Sequence, residues 1–141
     1  MKKLIMFVGV LLVVLFCSGC GGTKVLDCKQ NASGVDVDFK VTFNGKKLEK
    51  MEFGYDMDLS SYNKAQIDAI SKVDYCSVVK KSMPQYANAI ANCKQDVASQ
   101  KLLVSAEFDI SKFSKTQLNT LESPEKAKSD LESTGYKCTL N

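Results

Sequence analysis

Val35-Asp36-Val37-Asp38-Phe39-Lys40-Val41-Thr42-Phe43-Asn44-Gly45 is the stretch on which the fold turns. Apolar Val35, Val37, Phe39, Val41 and Phe43 alternate with Asp36, Asp38, Lys40 and Thr42. Successive side chains of a strand point to opposite faces, so this period of two predicts a strand with one buried face. Asn44-Gly45 then marks a hairpin turn, and Met51, Phe53, Tyr55, Met57 and Leu59 resume the alternation. A loop of Asn44, Gly45 and Lys46 sets Phe39 opposite Met51, Val37 opposite Phe53 and Asp38 opposite Glu52. A strict two-residue turn sets Phe39 against Lys50. The three-residue loop or a bulge is preferred, because it faces apolar side chains with apolar ones.

Outward from this hairpin, Lys24 to Gln30 reads as a shorter strand, joined to it through the turn-prone Asn31-Ala32-Ser33-Gly34. Beyond Ser60 or Asn63 the period becomes helical, with Tyr62, Ala65, Ala69, Val73, Cys76 and Met83 on one stripe. Pro84 ends that helix by restricting Met83. Residues 85 to 92 read as a helical turn or a loop. Cys93 to Val97 suits a short strand, and Leu102, Val104, Ala106, Phe108 and Ile110 alternate in a second, the two forming a hairpin. Ser114 with Gln117 is a capping box, and Ser123-Pro124-Glu125 supplies an N-cap, a first-turn proline and an early acid. Gly135 stops the last helix. The pattern predicts an α+β fold, an antiparallel sheet of about five strands in the order β-β-β-α-β-β-α with helices packed on one face.

The 19 basic residues are all lysine; the sequence has no arginine, histidine or tryptophan. Without histidine, Ser-His-Asp and Cys-His catalytic pairs and mixed Cys/His zinc sites are excluded. Without arginine there is no bidentate fork for phosphate or guanine, which speaks against nucleic-acid binding.

Lys2 and Lys3 precede an uninterrupted apolar run from Leu4 to Phe16, and the small residues Ser18-Gly19 stand before Cys20. This is the layout of a secretory signal, and the run is short of the about 20 apolar residues that span a membrane. Cys17-Ser18-Gly19-Cys20 resembles the lipobox of bacterial lipoproteins, with Cys17 where that motif usually has an aliphatic residue. The resemblance implies a signal peptide over 1–19, lipidated Cys20 opening a short linker over 20–23, and a single extracytoplasmic α+β domain over 24–141. Lipoprotein modification supplies the two or more acyl chains that stable anchoring takes. Two lysines leave with the signal, so the exported part carries 17 lysines against 16 acids, a balance of +1.

Cys28, Cys76, Cys93 and Cys138 remain after the signal and the lipid acceptor are set aside. An even number of cysteines in an oxidising compartment, none in a C-x-x-C pair, reads as two disulfides rather than a zinc site. Four cysteines allow three pairings. Sequence proximity favours Cys76–Cys93, which leaves Cys28–Cys138 to tie the C-terminal tail to the first strand.

The lipobox, meander, helix, hairpin and closing Ser-Pro-Glu-Lys-Ala-Lys-Ser-Asp-Leu-Glu-Ser-Thr-Gly-Tyr segment (123–136) together resemble the small YehR-like bacterial lipoproteins, a domain-of-unknown-function group. The resemblance implies an antiparallel sheet packed by helices and no activity. Members of that group lack these four extra cysteines, which places the chain in a disulfide-bearing branch.

Asp36, Asp38, Glu52 and Asp56 fall on the outward face of the central hairpin. They form a weak cation candidate, because like charges opposed in a sheet call for compensation and hard cations take carboxylate oxygens. The alternative is a solvated acidic face relieved by Lys40 and Lys50, with the other lysines gathered toward the helices. No catalytic residue and no cofactor is indicated. Tyr55, Tyr62, Tyr75, Tyr86 and Tyr136 could line a groove, although Tyr55 and Tyr62 fall on core faces. The expectation is a non-catalytic membrane-anchored envelope lipoprotein that binds an envelope protein, a surface polymer or a small ligand. An envelope enzyme or a cation-binding module on the acidic face is the alternative.

Overall fold

The computed structural model describes residues 22–141. The signal segment 1–19, the lipid acceptor Cys20 and Gly21 lie outside the described residues. The elements are β1 (Thr23–Ala32), β2 (Val35–Asn44), β3 (Lys47–Asp58), α1 (Lys64–Ser71), α2 (Tyr75–Ser82), a 3-10 segment (Pro84–Ala89), β4 (Ile90–Ala98), β5 (Lys101–Phe108), a short 3-10 turn (Ile110–Lys112), α3 (Lys115–Thr120), α4 (Pro124–Ser133) and β6 (Lys137–Leu140). All the strands pair antiparallel in one sheet of order β4-β5-β3-β2-β1-β6. The fold is α+β, with a sheet of six strands rather than five.

The additional strand, β6, is four residues long, too short to announce itself by periodicity. Gly135, at φ +100°, turns the chain out of α4. That left-handed conformation is strained for residues with a Cβ. Tyr136 then packs edge-on against Phe39, ring centroids 5.5 Å apart, and the chain runs into register with β1. Val25 and Asn141 exchange both backbone N–H···O bonds, at 2.9 Å each.

The register of the central hairpin differs from the expected one. Phe39 faces Phe53, Val37 faces Tyr55, Lys40 faces Glu52 and Asp38 faces Gly54. The turn is two residues, Gly45-Lys46, between paired Asn44 and Lys47, and the ladder slips between Phe43↔Leu48 and Thr42↔Lys50. Glu49 is therefore the extra residue of a bulge, which keeps both Leu48 and Met51 on the buried face. In this register Asp38 no longer opposes Glu52, and the directly opposed carboxylates of the hairpin are Asp36 and Asp56.

One long helix was expected between the two hairpins; the structure has two. Lys72-Val73-Asp74 breaks it, and Asp74 caps α2 by accepting from the Ser77 backbone N–H at 3.0 Å and the Ser77 hydroxyl at 2.6 Å. The break resets the helical phase. Ala65, Ala69 and Val73 of the expected stripe are exposed, while Ile67 and Ile70 turn inward. The capping boxes at Asn63/Gln66 and Ser114/Gln117 and the Ser123 cap all form.

Helices cover one face of the sheet. Leu26, Val41, Phe43, Leu102 and Val104 of the strands are buried there with Val79 of α2, Leu121 and Ala127. Phe108, Phe113 and Tyr86 meet as three tilted or edge-on rings with centroids 5.4 to 6.3 Å apart. Such contacts add to burial by a modest amount, about 0.5–1.5 kcal/mol a pair.

Candidate functional site

The opposite face of the sheet is bare. Strand pairing sets its side chains in rows: Asn92, Glu107, Glu52, Lys40 and Asp27 across one, and Lys94, Ser105, Gly54, Asp38, Lys29 and Lys137 across the next. The centre is low because Gly54 has no side chain and Ser105 has a small one. A depression of about 240 Å³ results, rimmed by Asp38, Lys40, Glu52 and Glu107. Asp38 folds over Gly54 so closely that a Cβ at position 54 would collide with its carboxylate. Burial against the sheet, and next the Asp27 carboxylate, hold Asp38 above the ordinary aspartate range.

Asp36, Asp38, Glu52 and Asp56 share this face as expected, but all except Asp38 have a partner of their own. Glu52 pairs with Lys50 at 2.9 Å, Asp56 with Lys101 at 3.2 Å, and Asp36 accepts from the Asn31 amide at 2.6 Å. The hydrogen bond from Lys50 to Glu52 raises the ammonium above its usual range. Among the described residues no three carboxylates or thiols converge as a metal centre. The cation candidate is therefore not gathered into a site. Nor are the lysines confined to the helical side: Lys29, Lys40, Lys50 and Lys101 stand among these acids. The sheet register places them there, since each is a cross-strand neighbour of an outward residue. The face is mixed in charge.

At its β1–β6 edge, Lys29 lies directly opposite Lys137, beside a polar depression of about 330 Å³ that Gln30, Asn31, Asp36 and Gly135 also line.

A second kind of opening lies on the helical side. Phe39, Val41 and Met51 floor a cleft of about 310 Å³ whose walls are Met83, Gln85 and Tyr86 on one side and Thr120, Leu121, Ala127, Asp130, Leu131 and Thr134 on the other. It exists because the helices cover the sheet in two separate groups, α2 against β4 and β5, and α4, with α3 packed on it, against β1 and β6. The Gln117 amide, donating to the Gln85 carbonyl at 2.5 Å, joins the two groups at one edge. Burial holds the Tyr86 phenol above its usual range.

Sequence reasoning found the outward acids but not Ser105 or Glu107, which reach the depression only through the β3–β5 pairing. It named Tyr86 as a possible groove residue and passed over Met83, Leu121, Asp130 and Leu131. No local pattern announces a gap between elements distant in sequence. Tyr55 and Tyr75 instead stack on each other, centroids 6.4 Å apart.

The four cysteines of the described residues form two disulfides, Cys28–Cys138 and Cys76–Cys93. The second ties α2 to β4, where the Gln95 side chain also accepts from the Tyr75 backbone N–H at 2.8 Å and donates to the Val73 carbonyl at 2.9 Å.

No family model and no curated protein matches the chain. Among solved structures it is similar to an NMR structure of a protein from Streptococcus pneumoniae TIGR4, at 16% identity over 83% of this chain and 84% of that one, TM-score 0.45. It is similar also to the NMR structure of the E. coli YehR protein, at 18% identity over 84% of this chain and 91% of that one, TM-score 0.46. Likeness at this level carries neither ligand nor activity across, and the α+β architecture stands on the strand pairing described above.

Proposed function

We propose that the chain is a non-catalytic, lipid-anchored protein of the cell envelope that binds an envelope protein or surface polymer across the uncovered face of its sheet. One observation carries the binding reading: a six-stranded sheet with helices on one side only leaves its other side bare. That side bears interleaved carboxylates and lysines around a shallow depression lined by Gly54 and Ser105. Mixed charge of this kind favours a polar partner and fixes its register more than it adds affinity.

The address rests on Lys2-Lys3, the Leu4–Phe16 run and Ser18-Gly19-Cys20. Two disulfides suit an oxidising compartment. The absence of histidine, and of a nucleophile paired with a base, supports the non-catalytic reading. The exported part's balance of +1, from 17 lysines against 16 acids and without arginine, disfavours nucleic acid as the partner.

A photo-crosslinking side chain tests the reading, placed at Ser105 on the open face or at Leu118 on the helical side and irradiated in producing cells. Discrete adducts from position 105 and none from 118 are expected. Equal adducts from both, or none from 105, overturn it.

A further inference from the structure

We infer that the cleft between the sheet and the two helical groups is a binding site for a small amphiphile with a short alkyl body and a cationic end. This goes beyond the partner surface proposed above and uses the opposite side of the molecule. Its volume of about 310 Å³ is at the lower end of ligand pockets. It is also roughly twice that of an engineered cavity that takes up benzene at about 150 Å³. A body of about a dozen non-hydrogen atoms fits that space.

The interior asks for an apolar body. Phe39, Val41 and Met51 of the strands line it together with Met83 and Leu131. Methionine side chains are unbranched and polarizable, so they adjust to a ligand's shape. Three hydroxyls stand among the lining residues, Tyr86, Thr120 and Thr134, and the Tyr86 phenol is hydrogen-bonded to the Thr120 hydroxyl. Thr120 donates to the Gln117 carbonyl at 2.6 Å and Thr134 to the Leu131 carbonyl at 2.8 Å. A ligand's polar end therefore belongs at the mouth.

The mouth sets the sign of that end. Asp130 is the one charged residue in the lining, and it forms no ion pair among the described residues. Lys126, one turn earlier on α4, is directed to Glu122 at 3.5 Å and to the Asn119 carbonyl at 3.0 Å. Lys128 is directed to Glu132 at 3.9 Å. An ammonium at the mouth meets an unengaged carboxylate, whereas an anionic end meets repulsion.

Methionine-methyl NMR of the purified, disulfide-bonded chain tests this with three probes of one length: octylammonium, octanol and octanoate. The Met51 and Met83 signals should shift on titration, while Met57, outside the cleft, serves as the internal control. Octylammonium should bind at least five-fold more tightly than octanol, and octanoate more weakly than either. Asp130→Asn should bring octylammonium to the affinity of octanol. Leu131→Phe, which fills the cleft, should weaken both while Met57 retains its native shift. The inference is overturned if Met51 and Met83 do not respond at millimolar ligand, or if Met57 moves as much as they do. It is overturned equally if octanoate matches octylammonium, if Asp130→Asn changes nothing, or if a folded Leu131→Phe protein binds as before.

Discussion

Cys28 of β1 and Cys138 of β6 stand directly opposite each other, Cα atoms 4.0 Å apart, in a bond that spans 110 residues of sequence. Val25 and Asn141 form a hydrogen-bonded pair, so alternation along the ladder puts Cys28 and Cys138 on a non-hydrogen-bonded pair, where strands approach most closely. The position suits a bridge between short side chains.

Replacing both of these cysteines by serine should cost more stability than replacing Cys76 and Cys93, whose separation is 17. In the chain-entropy account, loops of these two sizes contribute about 4.7 and 3 kcal/mol. Urea denaturation of the two double variants checks the order. A Cys76/Cys93 variant that is the less stable of the two would refute it.

Asp38 gives a pH dependence of opposite sign to most carboxylates. Its folded-state value lies above the ordinary 3.8 because of burial, then of Asp27, so the native chain holds this proton more tightly than the unfolded one. Its contribution to stability falls as pH rises through that interval and stays unfavourable above it. Asp38→Asn should raise the denaturation midpoint at neutral pH, and the gain should vanish below pH 3.8. Gly54→Ala should push the carboxylate toward solvent and return its titration, followed by NMR, toward the ordinary range.

Backbone conformation predicts a pair of opposite effects. Gly135→Ala places a Cβ at φ +100°, 3.0 Å from the Gln30 amide nitrogen, and should destabilise by about 1–2 kcal/mol. Gln100, at φ +59° in the two-residue turn between β4 and β5, is a non-glycine residue in left-handed backbone. Gln100→Gly should therefore stabilise, or at worst be neutral once the added freedom of the unfolded chain is counted. Thermal melts of both variants decide.

Cys20→Ala should abolish incorporation of labelled palmitate and free the chain from the membrane fraction. A variant that still takes the label would place the lipid elsewhere.

What the sequence disclosed was what is local. The alternation through Phe39 and Phe53, the hairpin carrying Leu102 to Phe108, and the caps at Ser114 and Ser123 each lie within a few residues of what they specify. The bulge at Glu49 depends on a competition between turn geometry and keeping Leu48 and Met51 buried, which the alternation alone leaves open. β6 is strand only because β1 offers an edge and Tyr136 finds Phe39. Asp74 looks like any polar residue in a helical run until Ser77 is seen beneath it. The open sheet face could be anticipated from its acids, but its depression comes from Gly54 meeting Ser105 across a pairing that no single segment encodes. The cleft at Met83 and Leu131 is further still from any local signal, being a space between elements.

The placement of β1 has a mechanical consequence. Tension applied to the chain at Gly22 enters a strand flanked by β2 along its whole length and by β6 from Leu26 to Lys29, rather than one at an edge. Pulled along its length, such a strand loads two ladders in shear, with many hydrogen bonds resisting together instead of opening one after another. After five residues, Thr23 to Asp27, the load reaches Cys28 and passes through a covalent bond into β6. A domain hauled by its N-terminal end would yield at those first residues and then hold.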